Sequence, residues 1–274
     1  MSRSQRDPKN LFLMRLLGFL PSQLGVALVV SLFAISSCAM VVGTQATAEA
    51  RPSLPGPSPY PTDSANWPGK GVIRVFGWMS QNREAFWRER AEKQHAVVFA
   101  GDSLVGGWKT LDRDFPGIKT ANRGIGGDVS RGLLFRWKED VLDLHPRAVV
   151  VLIGTNDLSA QQATQDTATN IALLLDAVAE SGNAVPVILC TLPPRNNPKA
   201  PLKPGALDDI NRKIEALGHS RKNVQVLDLH ALFATSDGSP EERYFQPDQL
   251  HLNPVAYSKW HEALQPMLEK LNVH

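Results

Sequence analysis

The stretch Ala96-Val97-Val98-Phe99-Ala100-Gly101-Asp102-Ser103-Leu104 decides the fold. Its apolar run predicts a strand over Ala96–Ala100, and the small-residue turn after it lifts the Ser103 hydroxyl out of the sheet edge. A serine there is placed to attack an electrophile. It is equally placed to cap the next helix, by accepting a backbone N–H.

Outward from this stretch, short runs rich in Val and Ile alternate with longer segments of helical period. Further strands are predicted at Ile118–Ala121, Ala148–Ile153, Val185–Thr191 and Val224–Leu229. Helices are predicted at Gln81–Lys93, Ser130–Leu142, Thr164–Glu180, Ala206–Leu217 and Val255–Leu271. Such alternation specifies a parallel sheet flanked by helices, and open sheets of this kind bind ligands beyond the carboxyl ends of their strands. The residues just after each strand are therefore the candidates for chemistry.

After the second strand comes Asn122-Arg123-Gly124-Ile125-Gly126-Gly127-Asp128. Its glycines allow a sharp turn and leave backbone N–H groups unobstructed, as an oxyanion site requires. A plain left-handed turn fits as well. A dinucleotide loop fits poorly, because Gly-x-Gly-x-x-Gly needs glycine where Val129 stands. After the third strand comes Gly154-Thr155-Asn156-Asp157. The Asn156 amide is a neutral donor, able to stabilise negative charge without neutralising a base, or else a turn residue. Near the C-terminus, Pro247-Asp248-Gln249-Leu250-His251-Leu252-Asn253-Pro254 puts a carboxylate three residues ahead of an imidazole. One turn can hold Asp248 against the His251 ring, fixing its tautomer and stabilising the imidazolium. A structural role for this histidine stays open on the residues alone.

The four segments together resemble the blocks of the SGNH (GDSL-like) hydrolases, over about residues 95–270. The wording of the glycine, asparagine and Asp-x-x-His segments is similar to the platelet-activating factor acetylhydrolase-like branch. The resemblance implies a three-layer α/β/α sandwich with a five-stranded parallel sheet of flavodoxin-like type. It implies a serine esterase with Ser103, Asp248 and His251 catalytic, and with an oxyanion hole made of the Ser103 and Gly127 N–H groups and the Asn156 side chain. Short-chain acyl esters are the expected substrates, because the domain is compact with no long apolar insertion to cover a lipid, and an exported location suggests O-acetyl groups on carbohydrate; no cofactor is implied. Two alternatives stand beside this: a lysophospholipase or thioesterase acting on longer acyl chains, and a non-catalytic glycan-binding module. The leading block departs from many relatives in having Val105 after the leucine, which bears on the shape of the site. It also lacks the Gly-x-Ser-x-Gly elbow of the ordinary α/β-hydrolases. No His-Glu-x-x-His or close Cys/His pair points to a metal.

The first 50 residues have a different character. Arg3, Arg6, Lys9 and Arg15 precede an apolar run from Leu24 to Gly43, the pattern of an export signal. Cleavage after Ala48 or Ala50, retention as a membrane anchor, and lipidation at Cys38 within Ile35-Ser36-Ser37-Cys38 are the alternatives. Basic residues on the near side only place the remainder of the chain across the inner membrane, in the periplasm or outside. Any membrane contact is then made through this segment. The chain has 29 basic and 27 acidic residues; without the four basic residues above and Asp7 and Glu49 the balance is even. No clustered basic face suggests a nucleic-acid partner. Between Arg51 and Gly69 six prolines (52, 55, 57, 59, 61, 68) alternate with small polar residues, predicting an extended tether over 51–69 and a catalytic domain over 70–274. Cys190 reads as a small buried hydrophobe. Trp108 and Trp137 read as core residues or as stacking faces for a sugar. Arg195 reads as a solvated loop residue or as a contact for a substrate carboxylate or phosphate.

Overall fold

The computed structural model describes residues 55–182 and 185–272; the leader read over 1–50 lies outside them. Five strands form one parallel sheet: β1 (Val97–Gly101), β2 (Thr120–Gly124), β3 (Ala148–Leu152), β4 (Val187–Cys190) and β5 (Val224–Leu227). They lie in the order β2-β1-β3-β4-β5, the doubly wound arrangement in which strand order reverses beside β1. Every residue of β1, β3 and β4 is buried, as strands covered on both faces must be. The expected α/β/α architecture is the observed one.

The longer helices are α1 (Gly77–Glu89), α4 (Ser130–Asp140), α6 (Thr164–Glu180), α7 (Ala206–His219) and α9 (Pro254–Lys270). Short ones are α2 (Ser103–Gly106), α3 (Leu111–Asp114), α5 (Thr155–Ser159) and α8 (Leu229–Phe233). Helix α6 packs between α4 and α7. Trp260 of α9 is fully buried against Trp108, whose ring meets Phe99 of β1 edge-on. Of the short helices, α2 and α3 pack on the sheet at β2, α5 on α6 and α8 on α9.

Two differences from the predicted elements have clear causes. Strand β2 runs over Thr120–Gly124 instead of Ile118–Ala121, so it takes in the first three residues of the glycine block. Its polar residues look unsuited to a strand but are paired. Arg123 is fully buried, donates to the Asp140 carbonyl, forms an ion pair with Glu89 and lies over the Phe86 ring. Residues 55–69, described within the segment expected to be a tether, lie on the domain as an arm. The Trp67 ring is 5% exposed, stacks on Tyr60 at 5.5 Å and meets Phe135 of α4 at 5.1 Å. Arg83 lies 5.2 Å from the centres of the Tyr60 and Phe135 rings and donates to the Ser58 carbonyl. Arg131 donates to the carbonyls of Ser64, Trp67, Pro68 and Gly71. Proline content correctly disfavours helix and ladder pairing, but two aromatic side chains supply the burial that a tether lacks.

Candidate active site

Register brings the four segments together. Gly101 at the end of β1 pairs with Gly124 on one side and Leu152 on the other, so the residues after β1, β2 and β3 emerge at one edge. Asp102 caps α2 by accepting the Leu104 N–H at 2.9 Å, which places Ser103 at the first position of that short helix. The backbones of Gly106 and Gly124 touch here. A Cβ on Gly124 would stand 2.1 Å from the Gly106 nitrogen, so α2 can seat on β2 only where a side chain is missing.

Opposite, the segment 245–253 folds back on itself. Phe245 and Leu252 bridge in antiparallel fashion, and the Gln246 N–H donates to the His251 carbonyl. Gln249 takes a left-handed φ of 51° at the turn. Asn253 then caps α9, accepting the Ala256 N–H, with Pro254 at the first helical position. This turn aims the imidazole. His251 Nε2 lies 3.0 Å from Ser103 Oγ, and its Nδ1 lies 2.5 Å from Asp248 Oδ2. The second Asp248 oxygen accepts the backbone N–H groups of Leu250 and His251. Partial burial alone would raise the Asp248 carboxyl, but the bonds from the His251 ring and from these two N–H groups outweigh it and hold the carboxyl below its usual range. The carboxylate is thus kept charged beside the ring.

The glycine turn runs alongside the serine. A Cβ built on Gly126 would sit 3.9 Å from Ser103 Cβ, and Gly127 has a φ of +83°, a conformation that a side chain would strain. Asn156 Nδ2 donates one hydrogen to the Asp128 carbonyl at 3.0 Å, and the amide has a second to offer. Its Oδ1 accepts from Arg74 at 3.4 Å. Thus Ser103, His251, Asp248, the Gly126–Gly127 turn and Asn156 gather at one edge.

Buried charges hold these pieces in place. Arg136 of α4 is fully buried and donates to Asp128 at 2.8 Å, to Asp140 at 3.2 Å and to the Gly101 carbonyl at 2.9 Å. It therefore links the strand before the serine to the residue after the glycine turn. Asp157 accepts the backbone N–H and the hydroxyl of Ser130, tying the start of α5 to that of α4. Burial nonetheless pushes the Asp157 carboxyl up to about 6. Asp102, wholly buried, is pushed up to about 7 by desolvation, with Asp128 and Asp157 adding repulsion; its Oδ2 has no hydrogen-bond partner.

Of the side chains whose place the sequence left open, two tryptophans take the core reading and Arg195 takes neither of its two. Trp108 and Trp137 are both 2% exposed, so neither offers a sugar a face. Arg195 is neither solvated nor turned to a substrate: its guanidinium donates to Thr155, Ser159 and the Ala200 carbonyl, bracing α5. Cys190 is buried, and burial pushes its thiol up, as for an inert side chain. Sequence reasoning does not reach Arg74, Phe76 and Trp78, which the chain between the arm and the first turn of α1 brings to the glycine turn. Trp78 Nε1 donates to the Gly126 carbonyl at 2.8 Å, and a Cβ on Gly127 would stand 3.1 Å from Phe76 Cε2. Their neighbours in sequence carry no motif; only the path of this segment reveals them.

A family model described as GDSL-like lipase/acylhydrolase matches residues 84–259. The alpha2 subunit of platelet-activating factor acetylhydrolase IB from Rattus norvegicus is 30% identical over 206 residues, covering 70% of this chain and 86% of that protein. Among solved structures, one from Bacteroides fragilis described as an acylhydrolase superposes with a TM-score of 0.63 at 25% identity, over 72% of this chain and 99% of the other. A GDSL-like lipase from Bacteroides thetaiotaomicron gives 0.60 at 25% identity, over 68% and 97%. Because the family match runs unbroken from α1 into α9 and so takes in every segment gathered at the sheet edge, this chain belongs to the GDSL-like lipase/acylhydrolase family and is a carboxylic ester hydrolase.

Proposed function

We propose that the protein hydrolyses short-chain acyl esters, O-acetyl esters above all, through an acyl-enzyme on Ser103. The observation that carries this reading is the line from Asp248 through His251 to Ser103 Oγ, with contacts of 2.5 and 3.0 Å. His251 Nε2 takes the hydroxyl proton as Ser103 Oγ attacks the ester carbonyl, and Asp248 stabilises the imidazolium that results. The carbonyl oxygen becomes an oxyanion held by the N–H groups of Ser103 and Gly127 and by the free hydrogen on Asn156 Nδ2. As the tetrahedral species collapses, the C–O bond to the alcohol breaks and His251 returns the proton to the leaving oxygen. Water, deprotonated by the same ring, then attacks the acyl-enzyme and releases the acid and the free serine.

Acetyl preference is supported by two kinds of relative: the platelet-activating factor acetylhydrolase subunits, and an acetylxylan esterase from Geobacillus stearothermophilus that is 44% identical over 45 residues. Carbohydrate is the alcohol partner we favour. The basic and then apolar leader of residues 1–43 supports action outside the inner membrane. The test is turnover of p-nitrophenyl esters of increasing acyl length by the wild type and by Ser103→Ala. Rapid acetate release that is abolished in the variant is expected. Full activity in Ser103→Ala would overturn the nucleophile, and a preference for chains of eight or more carbons would overturn the acetyl reading.

A further inference from the structure

The chain between the arm and the first turn of α1 carries a pair of aromatic rings beside the reacting serine. Phe76 and Trp78 stack on each other with centroids 4.5 Å apart and planes within 13°, yet they remain 38% and 49% exposed. They are among the few large apolar side chains of the described residues that face water to this degree. Neither ring is loose. The indole nitrogen is bonded to the Gly126 carbonyl, and the Phe76 edge abuts Gly127. Only one peptide separates Trp78 from Ser103, since Gly126 lies against the serine on its other side.

We infer that Phe76 and Trp78 form a carbohydrate-binding ledge that seats the sugar carrying the scissile acyl group. The inference rests on the proposed esterase function and names the alcohol side of its substrate. Two physical points favour a sugar over an acyl chain. A methylene chain gains stabilisation when enclosed by apolar surface, and these rings offer one open side only. A pyranose has a C–H face that needs only one-sided contact and a hydroxyl rim that stays in water, which suits a fixed, exposed aromatic plane. The indole N–H is already used and Phe76 covers one face of the indole, so Trp78 has its other face to offer a ligand, with the orientation set before substrate arrives. Arg74, on the same segment, has no carboxylate partner among the described residues and keeps donors beyond its bond to Asn156 for sugar hydroxyls.

The experiment compares wild type, Trp78→Ala and Trp78→Phe on acetylated xylo-oligosaccharide, ethyl acetate and the p-nitrophenyl acyl series. Beside these, binding of unacetylated xylohexaose to Ser103→Ala, with and without Trp78→Ala, is followed by tryptophan fluorescence or calorimetry. For Trp78→Ala, KM on the oligosaccharide should rise about tenfold, the size of one lost aromatic contact, with a much smaller change on ethyl acetate. Trp78→Phe, which keeps a ring but loses the bond to Gly126, should recover most of that loss. Xylohexaose should bind Ser103→Ala and bind far more weakly once Trp78 is also removed. An equal loss on ethyl acetate would overturn the ledge, since the rings would then only brace the glycine turn. A loss that grows with acyl length would overturn it in favour of an acyl site. Xylohexaose binding that ignores Trp78 would also overturn it. An inactive wild type that still binds xylohexaose through Trp78 would sink the esterase reading while leaving the ledge in place.

Discussion

Replacing Arg136 by methionine should be among the most damaging single changes away from the reacting groups. The guanidinium is fully buried, and its partners Asp128 and Asp140 are 1% and 2% exposed. Removing the cation strips two carboxylates of their counter-charge, and Asp128 is already pushed up by burial in its presence. Breaking a buried pair from one side typically costs about 3–5 kcal/mol, against a total folding stability of order 5–15 kcal/mol. For a domain of this size that corresponds to a fall in Tm of roughly 6–20 °C. Urea unfolding of wild type, Arg136→Met, Asp128→Asn and the double variant measures it. The two substitutions should be non-additive, with a coupling of about 1 kcal/mol or more, because Asp128→Asn removes one of the charges that Arg136→Met leaves stranded. A loss below about 1 kcal/mol in Arg136→Met, or strict additivity, would refute the view that this ion cluster is the clamp between β1 and the glycine turn.

The site itself sets two more expected outcomes. Asn156→Ala should lower kcat by about 10²–10³ with little change in KM, since an oxyanion donor acts mainly on the transition state; a pure KM effect would place the amide in substrate binding instead. Asp102 keeps its proton in the folded protein up to about pH 7, against 3.8 for its ordinary value. Between those limits the native state binds more protons than the unfolded one, so stability should fall as pH rises from about 4 to about 7. Thermal melts across that range should show a shallower fall in Asp102→Asn, and parallel wild-type and variant curves would count against a buried, protonated carboxyl.

The strands are legible because their Val-rich runs are buried on both faces, and the groups at their carboxyl ends because glycine, amide and hydroxyl residues stand where a parallel sheet puts ligands. Strand β2 lies further along the chain than its apolar pattern suggests because Arg123 looks polar, and its burial depends on Glu89 and Asp140, which come from elsewhere in the chain. The clamp role of Arg136 is invisible in sequence for a similar reason. An arginine in a helix reads as solvated until its distant partners are known. Composition misleads for the arm: prolines dominate its sequence, while Tyr60 and Trp67 decide its fate by packing on Phe135.

Since residues 72–78 reach the sheet edge without supplying a strand, no pairing register constrains what they carry there. The exposed faces of Phe76 and Trp78 therefore belong to no ladder, while Ser103 and Asn156 are set by the sheet and His251 by its own turn. On the proposed ledge, exchanging Trp78 for another ring alters the choice of alcohol, while Arg74 stays in place to hold Asn156.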